Sequence, residues 1–79
     1  MTPIVEIAQT VDARGLSCPL PIVKTAQAVK TMASGQALEV LATDPGSIKD
    51  FAAWSKTTAN ELLESTSDGA VYRFVIRVR

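Results

Sequence analysis

The chain has 79 residues with a hydrophobic fraction of 47%, which fits one small globular domain spanning 1–79 and excludes a disordered tail. Eight Lys and Arg balance eight Asp and Glu, so the basic excess of a general nucleic-acid binder is missing. No His and a single Cys exclude Ser-His-Asp and Cys-His catalysis, an intrachain disulfide and the usual structural zinc sites.

Residues Ile4 to Asp12 mix apolar and polar side chains and predict a strand, with Val5, Ile7 and Val11 on one face that Gln9 interrupts. Arg14-Gly15-Leu16-Ser17 predicts a loop, and Cys18-Pro19-Leu20-Pro21 a helix opening near Pro19, because proline is tolerated in a first helical turn. Ile22, Ala26, Val29 and Ala33 recur at helical spacing, and Gly35 is a natural stop. A second strand is expected over Gln36 to Thr43. The turn Asp44-Pro45-Gly46-Ser47 then leads into a second helix that fades near Thr57-Thr58. Ser47 and Asp50 have the spacing of a capping box, while Ile48, Phe51, Ala52 and Ser55 form the inner face with Trp54 at its edge. Asn60 to Thr66 predicts a third strand and Ser67-Asp68-Gly69 a turn. In the last strand, Val71 to Arg79, the residues Tyr72, Phe74, Ile76 and Val78 face one way and Arg73, Arg77 and Arg79 the other.

The order β-α-β-α-β-β predicts an α/β two-layer sandwich: a parallel right-handed crossover, a closing hairpin, and two helices on one face of the sheet. The arginine face is then uncovered, as a solvated surface or a dock for an acidic partner. No stretch of about 20 apolar residues is available to span a membrane, and the first residues show no signal-peptide pattern. A reducing cytoplasm is the simplest setting for the lone thiol.

Cys18 falls at the expected cap of the first helix. The unpaired N–H groups and the dipole there favour thiolate, the reactive form, with no general base adjacent. Free cysteines are also often buried and inert, so a structural Cys18 in a small adaptor or regulatory module stands as the alternative. Arg14 is placed to hold a sulfur anion or to sit solvated in its loop. Asp12 and Asp44 are expected as loop and cap acceptors, and Gly15 and Gly46 as turn residues.

The run Asp12-Ala13-Arg14-Gly15-Leu16-Ser17-Cys18-Pro19-Leu20-Pro21 resembles the D-x-R/L-G-x-x-C-P-x-P signature of the TusA-like (SirA-like) sulfur carrier family. Thr43-Asp44-Pro45-Gly46-Ser47 resembles that family's second motif, and Asp68-Gly69 with Tyr72-Arg73-Phe74 its closing hairpin. The resemblance covers nearly the whole chain. It implies a fold similar to the C-terminal domain of translation initiation factor 3: a mixed sheet in the order 1-2-4-3, its last strand antiparallel to the others. It also implies that Cys18 carries sulfur as a covalent persulfide, with Pro19, Pro21, Arg14, Gly15 and Asp12 in support and no metal or separate cofactor. The implied donor is a cysteine desulfurase or rhodanese-like sulfurtransferase. The implied acceptor is a DsrE-type or tRNA-thiolation protein, or a component of molybdenum-cofactor synthesis or sulfur oxidation, with no direct binding of nucleic acid. Some members carry a further Cys on the second helix. Here that region is Trp54-Ser55-Lys56, which supplies no internal resolving thiol.

Overall fold

In the computed structural model, which describes residues 6–79, six elements follow in the expected order. They are β1 (Ile7–Ala13), α1 (Leu20–Val29), β2 (Ala37–Ala42), α2 (Ser47–Thr58), β3 (Glu61–Asp68) and β4 (Val71–Arg77). Ile4 and Val5, placed in the first strand by their pattern, lie outside the described residues. The sheet order is β1-β2-β4-β3; β1 runs parallel to β2, and β4 is antiparallel to both β2 and β3. Helix α1 packs on β1, α2 packs on β3 and β4, and the helices touch each other, so both cover the same face. Both outer strands carry a register irregularity, β1 between Ile7 and Gln9 and β3 between Leu62 and Glu64.

Alternation delivers the core. Val11 and Ala13 of β1, Leu38, Val40 and Ala42 of β2, and Phe74 and Ile76 of β4 point under the helices, joined by Phe51 of α2 and Val78. The Phe51 ring stacks on Phe74 with centroids 4.5 Å apart and meets Trp54 edge-on at 6.2 Å, an arrangement aromatic quadrupoles favour. On the opposite face Arg73 bonds to Glu39 and to Glu64 (2.9 Å), and Arg77 to Glu61 (2.6 Å). The expected arginine face is therefore laced to glutamates of the neighbouring strands. Val75, on the same side between those arginines, is only 2% exposed. The hairpin from β3 to β4 turns on Gly69 and Ala70. Gly69 has φ +64°, the positive value that the first central position of a type II′ turn requires.

Three local expectations are corrected. Helix α1 ends at Val29 and does not continue to Ala33. The amides of Thr31 and Met32 bond three residues back, to Ala28 and Val29, and the Thr31 hydroxyl also bonds the Ala28 carbonyl, which tightens and closes the helix. Ile22 and Val29 of the expected row do pack on the core, joined by Ala28 and Met32, while the fully buried residues of the helix are Pro21 and Thr25. Thr25 can be buried because its hydroxyl donates to the Pro21 carbonyl at 2.8 Å. On α2 the N-cap is Gly46, so Ser47 and Asp50 form no capping box; Ser47 is buried, and Ile48 is 46% exposed instead of packed inward.

Candidate functional site: a thiol between two helix starts

Parallel pairing sets the carboxyl ends of β1 and β2 side by side, with Ala13 opposite Ala42. The loops leaving those ends must therefore meet, and the crevice outside such strand ends is where open α/β sheets present their chemistry. The Gly15 amide donates to the Thr43 hydroxyl at 2.9 Å, and the Cys18 amide to Asp44 Oδ2 at 2.7 Å. Asp44 Oδ1 accepts the Gly46 amide at 2.8 Å, so one carboxylate fastens the cysteine turn to the start of α2. Gly15 sits at φ +81°, which disfavours a side chain there. A Cβ on Gly46 would lie 3.3 Å from Asp44 Oδ1 and 3.8 Å from the Cys18 Cβ, so the crevice has little space to spare.

Cys18 is free and exposed. It stands one residue outside the N-cap of α1, which is Pro19, and the peptide bond between them is cis. Its Sγ donates a hydrogen bond to Asp50 Oδ2, from the first turn of α2. This hydrogen bond, some desolvation by the neighbouring groups, and the negative charges of Asp50 and Asp44 all push the thiol above its ordinary pKa. The expectation that the helix start favours thiolate is thus corrected, as is the expectation that no basic group adjoins the thiol, since the Asp50 carboxylate accepts its hydrogen bond. Pro19 and Pro21 have no N–H to offer, and the Leu20 amide is turned to the Ser17 carbonyl at 2.8 Å. Two carboxylates, not helix amides, dominate the field at the sulfur.

The other predicted site residues divide into two groups. Pro19 and Pro21 shape the turn, with Pro21 wholly buried on the inner face of α1. Gly15 and Asp44 hold the crevice together. Arg14 and Asp12 do not reach the sulfur. The Arg14 guanidinium grips Asp12 through two contacts of 2.8 and 3.0 Å, and this pairing holds the Asp12 carboxyl down at about 2. Lys24 donates to the Asp12 backbone carbonyl at 2.9 Å, so it too is directed away from Cys18. Asp50 is the site residue that local patterning misassigned. The signal that finds it is topological, since parallel β1 and β2 force the start of α2 against the cysteine loop.

Large apolar side chains are exposed at the starts of both helices. Leu20 and Val23 on α1 and Ile48 on α2 are about half exposed, all three in the first turns of the helices flanking Cys18. The fold and site define a class: a two-layer α/β domain that exposes one free thiol between two helix starts. The family model described as Sulfurtransferase TusA matches residues 9–78, and the chain belongs to this family. Over 69 residues it is 52% identical to the sulfur carrier protein TusA of Allochromatium vinosum, covering 87% of this chain and 91% of that protein. It is 48% identical to the putative sulfur carrier protein YrkI of Bacillus subtilis over 69 residues, 87% and 92% of the respective chains. The crystal structure of a SirA-like protein from Desulfitobacterium hafniense shares the fold with a TM-score of 0.76 at 22% identity, over 87% of this chain and 95% of that one.

Proposed function

We propose that this protein is a sulfur carrier that accepts sulfane sulfur on Cys18 as a persulfide and passes it to an acceptor protein. The observation that carries this reading is the free, exposed Cys18 just before α1, within the residues that the family model matches. In the loading step the Cys18 thiolate attacks the outer sulfur of a donor persulfide. A new S–S bond forms on Cys18 as the donor's S–S bond breaks, and the donor's inner sulfur departs as thiolate with the electron pair. The proton given up by Cys18 ends on that thiolate or in solvent. Sulfur transfer of this kind needs no external oxidant and no resident cofactor. Unloading is the same exchange with the acceptor's thiolate as nucleophile.

The rim of Leu20, Val23 and Ile48 fits partners that are themselves proteins, since exposed apolar groups around a reactive atom are desolvated on docking. A cysteine desulfurase or rhodanese-like sulfurtransferase is the fitting donor, and a DsrE-type or tRNA-thiolation protein the fitting acceptor. No helix among the described residues is long and apolar enough to cross a membrane, and a reducing cytoplasm would keep Cys18 available. The exposure of Cys18 supports carriage over the adaptor reading, in which the thiol is structural. Incubation with a cysteine desulfurase and cysteine should add the mass of one sulfur atom, which dithiothreitol removes. Cys18→Ser should abolish the gain and leave the fold intact. Sulfur delivery by the Cys18→Ser protein would overturn the proposal.

A further inference from the structure

The carrier reading assigns work to the sulfur but none to the carboxylate that holds it. Asp50 has the sequence position of a helix-capping partner, yet α2 receives no side-chain cap from Ser47, whose buried hydroxyl has no partner among the described residues. Asp50 reaches across to the other helix and accepts the hydrogen bond of Cys18 Sγ. Every charged group facing the sulfur points to one sign. Asp44, from the loop after β2, binds the Cys18 amide; Arg14, beside β1, and Lys24, on α1, are turned to Asp12; Lys49, next to Asp50 on α2, is exposed and is not a source of the thiol's shift.

We propose that Asp50 is a positioning residue that restrains Cys18 in the empty carrier, holding the sulfur protonated and oriented toward α2 so that it is a weak nucleophile until a partner disturbs this contact. This rests on the persulfide reading, in which loss of the Cys18 proton precedes loading. It gives a small exposed thiol a resting state that resists stray electrophiles. The raised thiol pKa follows from the same contact.

The test is the pH profile of Cys18 alkylation by iodoacetamide in the native protein, with circular dichroism as the check on folding. In Asp50→Asn the midpoint should fall. Each unit of fall raises the thiolate fraction at pH 7 about tenfold, and the weaker nucleophile gives back about threefold, leaving roughly a threefold faster reaction per unit. Asp50→Glu should retain a raised midpoint because it keeps the carboxylate. Asp50→Ser serves as the second variant should Asp50→Asn fail to fold. A folded Asp50→Asn or Asp50→Ser protein with the wild-type midpoint overturns the proposal. Mass gain on desulfurase treatment is scored separately: a wild type that takes up no sulfur defeats the carrier reading, whereas an unshifted midpoint defeats only the role of Asp50.

Discussion

Replacing Phe51 by Ala tests whether α2, and with it Asp50, is seated by one aromatic anchor. The side chain is fully buried, stacked on Phe74 at 4.5 Å and met edge-on by Trp54 at 6.2 Å. Truncating a buried Phe costs about 3–5 kcal/mol in lost transfer energy and residual cavity. A chain of 79 residues has a total stability on the order of 4–12 kcal/mol. The variant should therefore lose about a quarter or more of its stability, and its Tm should fall by at least about 12 °C. Urea denaturation at 25 °C, followed by circular dichroism and by the fluorescence of Trp54, the single tryptophan, measures both the loss and the change around the ring. Phe51→Leu, which keeps most of the volume, should cost only about 1–2 kcal/mol. Because Asp50 adjoins Phe51, the Ala variant should also loosen the hold on Cys18 and speed its alkylation under native conditions. A loss under about 1 kcal/mol with an unchanged urea slope would refute the placement of Phe51 at the centre of the core.

Two further perturbations address the site's flank and the hairpin. Arg14→Ala should return the Asp12 carboxyl from about 2 toward its ordinary value of 3.8, read from the carboxyl-carbon NMR titration. A carboxyl depressed in the folded state contributes stability above the unfolded pKa and loses it as pH falls through the folded one. Wild type should thus lose stability between about pH 4 and 2 that the variant never had. Gly69→Ala places a Cβ at φ +64° and should lower stability by about 1–2 kcal/mol without changing alkylation of Cys18, measured by thermal melting and by the iodoacetamide rate.

Much of the fold is legible because its signals are local. Proline before a helix, Gly69 in a hairpin, and the alternation of Tyr72, Phe74, Ile76 and Val78 each act within a few residues. The apolar pattern of α1 finds Ile22 and Val29 but not Thr25, which counts as polar in a pattern, whereas in the fold its hydroxyl is satisfied by its own helix. The thiol's environment was misread for a related reason. Proximity to a helix start implies amide donors, but the prolines that mark that start remove them, and the decisive charge comes from Asp50, 32 residues away in sequence. Ile48 escaped because apolar spacing locates a stripe and cannot say that one member of it rims a site instead of filling the core.

The two register irregularities fall on β1 and β3, the strands with an open side. An extended chain approaching either border meets broken hydrogen-bond spacing. Adding a further strand to this sheet is therefore unfavourable at both ends. The exposed large apolar side chains, Leu20, Val23 and Ile48, all lie on the helical side, so the irregular borders of the sheet leave apolar association to the helix starts beside Cys18.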